Sequence, residues 1–242
     1  QVNRSESYLK YASGKAINSA RVLEQLESNC VKCFCPLGEK DFSAFIELAK
    51  KDNLKIEYTL IPGNTRECWT LLDRENHTTT ELVVSEPFIK KSEEIKNLEK
   101  ETFNKIKSLI LETDAVLLAG SRPAIWSNEI YPKIAEFAIK NEKIFLADYI
   151  GQDLQETLKI TSPSIIKIND QEFCSTFMTE NFEPENILFE QQLKNYDIKK
   201  SIEFNNIIVI LIFTKIDLLD DKNKYDDILY YYRSVVYNVY NN

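Results

Sequence analysis

Ala115-Val116-Leu117-Leu118-Ala119-Gly120-Ser121-Arg122-Pro123 is a short apolar run that ends on a glycine and a polar turn. A buried strand of a parallel sheet reads this way, because both of its faces are covered and its carboxyl end opens to solvent. The pattern recurs twice. Ile144 to Ala147 is followed by Asp148 and Gly151, and Ile165 to Lys167 by Asn169 and Asp170. Helical spacing follows each strand, near Asn128 to Lys140, near Asp153 to Leu158, and from about Asp170. Strands alternating with helices at this interval predict a mainly parallel sheet with right-handed crossovers. Ligands of such sheets bind at the carboxyl ends of the strands.

Upstream, Ser92 is placed to cap a long amphipathic helix, with Glu93 and Glu94 in its first turn and Ile95, Leu98, Ile106 and Ile110 inward. Before it, residues 56–84 read as three strands: Ile56, Tyr58 and Leu60 alternate with polar residues, and Cys68–Leu72 and Thr78–Val84 flank the polar turn 73–77. We expect these strands to form a small sheet off the main core, a lid. Its Cys68, Trp69, Leu71 or Val83 would expose an apolar face, which predicts a homodimer through the lid. Nearer the N-terminus, Ile17, Ala20, Leu23 and Leu26 predict a helix over Lys15–Glu27. A strand at Val31–Leu37 follows, then a helix lined by Phe42, Phe45, Ile46 and Ala49 and capped by Asp41. Downstream, Ile207–Phe213 predicts one more buried strand, and Tyr225–Asn242 is rich in tyrosine and asparagine.

The 242 residues suffice for one large α/β domain, and nothing in the chain demands a second. A net charge of −8 argues against a general nucleic-acid or anionic-membrane binder, so any phosphate site must be a local basic pocket. Ile207–Phe213 is seven residues, too short to span a bilayer. Five cysteines, odd in number and unevenly spread, suit a reducing cytoplasm. Cys30, Cys33 and Cys35 invite a zinc reading, but the single histidine, His77, sits in a turn. Thiols serving as small apolar side chains of a buried strand explain the cluster more simply. The chain opens on Gln1 within a polar segment, as a fragment would.

Several positions invite chemistry. Gly14 and Lys15 at a helix start can hold an anion through free amides and an added charge, or simply begin a helix. The segment is not a phosphate-binding P-loop, since Leu9 replaces the first glycine and Ala16 the hydroxyl. Arg66, opening a lid strand, offers a fork of donors to a phosphate, or is an ordinary surface arginine. Ser121, Asp148, Lys167 and Asn169 stand at three successive strand ends. Asn169 and Glu172 can organise a hydrated magnesium ion with nucleotide phosphates, or form a helix cap with an acidic first turn.

Taken in order, these residues resemble the PfkB family of carbohydrate kinases, in particular its 1-phosphofructokinase and tagatose-6-phosphate kinase branch. Ser13-Gly14-Lys15-Ala16-Ile17-Asn18-Ser19-Ala20-Arg21-Val22-Leu23 is similar to Gly-Gly-Lys-Gly-x-Asn-x-Ala-Arg-x-Leu, and Val2-Asn3-Arg4 to the segment before it. Thr65-Arg66 and Thr80-Glu81-Leu82 resemble the lid strands of that branch. Gly120-Ser121-Arg122-Pro123 resembles Gly-Ser-Leu-Pro, with Glu129-Ile130-Tyr131 behind it, and Lys167-Ile168-Asn169 with Glu172 resembles Lys-Pro-Asn-x-x-Glu. The likeness runs over roughly residues 2–175 and implies a ribokinase-like α/β fold with a β lid.

It also implies ATP- and Mg2+-dependent phosphorylation of a hexose phosphate, fructose 1-phosphate or tagatose 6-phosphate. Gly14, Lys15 and Asn18 would hold the sugar, and Arg66 and Ser121 its phosphate. Lys167, Asn169 and Glu172 would serve ATP, the last two also Mg2+ through water. The family's first strand would lie before Gln1, and no glycine follows Gly151 to build the Gly-Ala-Gly-Asp signature of the catalytic base. Asp217 follows a strand but lacks those flanking glycines, so the base stays unassigned. The alternative expectation is therefore a non-catalytic relative that binds sugar phosphate or dimerises. A Rossmann dehydrogenase ranks below both, because no G-x-G-x-x-G follows an early strand.

Overall fold

The computed structural model describes residues 5, 7–86, 89, 92–177 and 208–212. Val2-Asn3-Arg4, Asp217 and the tyrosine-rich stretch 225–242 lie outside the described residues. The chain divides into two compact units, residues 1–102 with 123–125, and residues 103–122 with 126–242.

The first unit opens with α1 (Lys15–Leu26), β1 (Cys33–Gly38), α2 (Phe42–Lys51) and β2 (Ile56–Ile61). β1 and β2 pair in parallel, Cys33 opposite Ile56 through Gly38 opposite Ile61. Ala12, Ile17, Ala20, Cys33, Ala49 and Leu54 form the core, with Phe45 and Leu48 packed on it. The helical stripe on α1 is shorter than its sequence predicts: Ile17 and Ala20 are buried, but Leu23 and Leu26 are exposed. Hydrophobic spacing marks a face, and only the part of that face lying over a neighbour is covered.

The hairpin β3 (Cys68–Asp73) and β4 (Thr78–Val83) completes this unit's strands. It is antiparallel, with Cys68 opposite Val83 and Asp73 opposite Thr78. The Asp73 carboxylate accepts from the backbone N–H groups of Glu75 and Asn76, both at 3.0 Å, and from the Asn76 amide at 2.8 Å. This side-chain turn, with His77 at φ 52°, reverses the chain where the polar run predicts it. Two details of the expected lid are corrected. β2 does not join the hairpin; α2 carries the chain across to lay β2 beside β1, and period-two alternation cannot tell the two pairings apart. Nor do Cys68, Trp69, Leu71 and Val83 share a face. Opposed residues share one, so Cys68 sits with Val83, whereas Trp69, Leu71 and Leu82 occupy the other.

Ser92 caps α3 (Glu93–Leu111) as expected, accepting from Ile95 N at 3.4 Å, and Ile95 and Ile110 are buried. The boundary between the units falls within this helix.

The second unit is a run of strand–helix pairs: β5 (Ala115–Ala119), α4 (Ile130–Lys140), β6 (Ile144–Asp148), α5 (Gly151–Ile160), β7 (Ile165–Asn169) and α6 (Asp170–Phe177). β8 (Ile208–Ile212) closes the series within the predicted apolar run. The four strands form one sheet in chain order, every pair parallel. Phe145, Ala147, Leu154 and Ile168 have no exposed surface, and Ile134, Ala135 and Ala138 bury one side of α4. Tyr131 and Tyr149 stack edge to face at 4.9 Å. The Tyr149 hydroxyl is paired with Thr157 at 2.9 Å, and burial pushes its ionisation well above the ordinary range. No helix among the described residues is long and apolar enough to cross a membrane.

Candidate functional site

Each unit carries part of the candidate set. In the first, Gly14 at φ 132° turns the chain into α1 with a backbone angle that suits glycine alone. Lys15 and Asn18 lie on the exposed face of the opening turn. Arg21, one turn on, organises this segment. It donates to Asn18 Oδ1 at 2.8 Å and to the Ala12 carbonyl at 2.6 Å, and pairs with Asp52 at 2.9 Å. The exposed asparagine is thereby oriented by a part-buried arginine.

Arg66 is placed by a latch just before it. Asp41 makes no cap bond to α2, contrary to its sequence position. Its carboxylate turns instead to Thr65, accepting from the backbone N–H at 2.8 Å and from the hydroxyl at 2.8 Å. Three donors converge on this acidic residue and its partner, because Thr65 Oγ1 also accepts from Gly38 N at 3.0 Å. The acceptor is the same charged carboxylate in either arrangement, but Thr65 offers it both a backbone N–H and a hydroxyl, where a cap commonly offers one N–H. Close approach requires Gly38: a Cβ there would stand 2.2 Å from Thr65 N and 2.3 Å from Asn64 C. The end of β1, the start of α2 and the entry to the hairpin thus meet at one point.

Beyond the latch, Arg66 is half exposed and lies 3.5 Å from Glu86. Its neighbour Glu67 pairs with Lys10 at 2.8 Å and accepts from the Trp69 indole at 3.3 Å. The hydrogen bond from Lys10, then that from Trp69, holds the Glu67 carboxyl below its usual range. Asp41, Arg21 and Glu86 were not marked as site residues by sequence reasoning. Only Arg21 left a signal, within the Asn-x-Ala-Arg run.

In the second unit, the ends of three strands lie side by side. Gly120 N donates to the Asp148 carbonyl at 2.9 Å, and Lys167 Nζ reaches Asp148 Oδ1 at 3.3 Å. Ser121 is exposed directly after Gly120, whose φ is 90°. Arg122 points away from solvent, paired with Asp153 at 2.9 Å and donating to the Trp126 carbonyl at 2.6 Å. An arginine standing where the resemblance has leucine is thus a tie between the β5–α4 loop and α5.

Asn169 and Glu172 form a reciprocal cap on α6. Asn169 N donates to Glu172 Oε2 at 3.1 Å, and Glu172 N donates to Asn169 Oδ1 at 2.7 Å. The structural alternative for this pair is therefore real. It does not conflict with a magnesium role, since a carboxylate has about four lone-pair sites and magnesium keeps most of its waters. Thr176, one turn further along α6, donates to the Glu172 carbonyl at 2.7 Å and accepts from Gly151 N, at the start of α5, at 2.9 Å.

The cysteines behave as apolar residues where they enter the strand. Burial pushes the Cys33 thiol up to about 11 and the Cys35 thiol up to about 12, so both stay protonated near neutrality. Cys30 is exposed and precedes the strand, a correction to its grouping with the other two.

A match to the pfkB family carbohydrate kinases covers residues 1–195. The chain belongs to the PfkB family. Among PfkB relatives, the tagatose-6-phosphate kinase of Staphylococcus epidermidis is 29% identical over 174 residues, 71% of this chain and 53% of that protein. The chain thus spans about half the length of this curated relative. A possible 1-phosphofructokinase of Thermotoga maritima shares the fold with a TM-score of 0.67 at 16% identity, covering 88% of this chain and 66% of that one. Escherichia coli phosphofructokinase-2, solved with fructose-6-phosphate, gives 0.60 at 17% identity, covering 83% and 62%. The ribokinase-like fold that the motif resemblance implies, and the α/β class that the strand–helix pattern predicts, are therefore established.

Proposed function

We propose that the chain is the sugar-phosphate-binding and nucleotide-binding part of an ATP-dependent hexose-phosphate kinase. The observation that carries this reading is the PfkB match over residues 1–195, which takes in every candidate residue. The tagatose-6-phosphate kinase among its relatives suggests the acceptor class. In this reading Gly14, Lys15 and Asn18 hold the sugar, Asn18 steadied by Arg21. Arg66, fixed in the main chain through Thr65 and Asp41, offers its guanidinium to the phosphate the sugar already carries, and Ser121 adds a hydroxyl. Lys167, with Asp148 setting its position, faces the nucleotide phosphates. Asn169 and Glu172 would hold Mg2+ through its waters, and the ion supplies charge neutralisation at the transferred phosphoryl group.

Phosphoryl transfer asks the protein mainly for positioning and positive charge, and Lys15, Arg66 and Lys167 supply that charge on a chain of net charge −8. The hairpin would act as the lid and, through Trp69, Leu71 and Leu82, as the seat of a second subunit. A second reading, binding without turnover, applies to the residues given, among which no glycine follows Gly151 to build an anion hole.

Phosphorylation of fructose 1-phosphate and tagatose 6-phosphate by ATP, followed with Arg66→Ala in parallel, tests the proposal. We expect turnover that drops at least about 100-fold in kcat/KM in the variant, as for loss of a charge-assisted phosphate contact. Binding of either sugar phosphate with no turnover would select the second reading, and absence of both would reject the two together.

A further inference from the structure

We propose that Glu86 is an internal counter-ion for Arg66, which a phosphate ester must displace, and that it thereby sets a preference for dianionic ligands. The inference rests on Arg66 as the phosphate-holding residue. Glu86 follows β4 on the return side of the hairpin. Its Oε1 lies 3.5 Å from Arg66 Nη1, while Oε2 accepts from the Ala124 N–H at 2.7 Å. All three residues belong to the first unit. A guanidinium and a backbone amide aimed at one anionic group are the donors that proteins use for phosphate. Here a carboxylate of the chain itself takes them.

The contact is suited to exchange. The pair is part exposed, at 44% for Arg66 and 30% for Glu86, and ion pairs of that kind are weak and screened. The main chain at Thr65 stays clamped by Asp41 whichever partner the guanidinium takes, so exchange moves side chains and not the hairpin entry. A phosphate monoester carries close to two charges near neutrality and can bind the guanidinium fork through two oxygens. It outcompetes a carboxylate held at 3.5 Å, whereas a neutral sugar leaves Glu86 in place.

Titration calorimetry with inorganic phosphate and with fructose 1-phosphate tests this on the wild type, Glu86→Gln, Arg66→Ala and the double variant. Glutamine keeps an acceptor for Ala124 and removes only the charge. Expected is binding about three- to tenfold tighter in Glu86→Gln, the size of one nearby charge in a solvent-rich site, with the gain shrinking as salt rises. The gain should vanish when Arg66 is alanine. Unchanged or weaker binding in Glu86→Gln, with Arg66→Ala still impaired, overturns the proposal and leaves the phosphate role of Arg66 standing. An equal gain with and without Arg66 also overturns it, as a general effect of net charge. If Arg66→Ala binds like wild type, the underlying reading fails and the inference with it. Far-UV circular dichroism of each variant, and a charge-preserving Glu86→Asp, separate these outcomes from misfolding.

Discussion

The hairpin β3–β4 and the strands β6 and β7 of the second sheet are both built of short strands of ordinary β-forming residues, yet they bury their side chains to opposite extents. Every residue of β3 and β4 is exposed. Phe145 and Ala147 of β6 and Ile168 of β7 have no exposed surface, and Ile166 is nearly as buried. A two-stranded hairpin gains little from its own pairing in water. Its order comes from its ends: the Asp73 turn at the tip, and the Asp41–Thr65–Gly38 latch with the Lys10–Glu67 pair at the foot. The sheet is held through its faces. One element is stabilised by a few polar contacts at defined points, the other by a distributed apolar core, and they should fail differently.

The largest expected effect is in the sheet. Phe145→Ala removes a fully buried ring and should cost about 3–5 kcal/mol, read as a lowered urea midpoint. The matching truncation in the hairpin, Trp69→Ala, removes a ring that is 57% exposed and should stay within about 0.5 kcal/mol for the isolated chain. A cost from Trp69→Ala that grows with protein concentration would break the contrast in an informative way, showing that the hairpin's apolar face is covered by another copy.

Next in size is the latch. Gly38→Ala forces a methyl to within 2.2 Å of Thr65 N, against backbone that cannot swing aside as a side chain would. A loss of about 3 kcal/mol is expected from overpacking together with the disturbed bonds to Thr65. Limited proteolysis should then cut first between Asn64 and Val84, the segment whose foot is released. Cleavage confined to the tip at 74–77 would show instead that the hairpin is held from elsewhere.

The same contrast explains what could be read in advance. Strand–helix repetition at Ala115, Ile144 and Ile165 is a local signal, and it located three strands of the second sheet and the helices after them, with boundaries moved by a few residues. Burial on both faces makes such strands continuous apolar runs, which few alternatives produce. Gly14, Lys15, Asn18, Arg66 and Ser121 were legible as candidates because motifs preserve residue order. Asp41 was legible only as a helix cap, since the competing partner Thr65 is distant in sequence and local capping rules know nothing of it. Glu86 carried no pattern at all; its meaning depends on Arg66 and Ala124 converging on it. β2 went to the wrong partner for a related reason: alternation reports which face of a strand is wet, not which strand lies beside it.

The smallest effect expected concerns Asn169, where a structural and a binding role coincide. Asn169→Ala removes the acceptor for Glu172 N and one side of the reciprocal cap, costing about 1 kcal/mol in thermal or urea unfolding. Asn169→Asp keeps an acceptor at the cap and should restore most of that stability. If the pair does nothing more than cap α6, nucleotide affinity will follow stability in both variants. If Asn169 also helps order magnesium and phosphate, the aspartate will restore the helix but not the affinity, because it adds a negative charge where the nucleotide's own oxygens must approach. Measuring ATP binding at fixed free Mg2+ alongside unfolding in the same two variants therefore separates the roles that the sequence leaves superimposed.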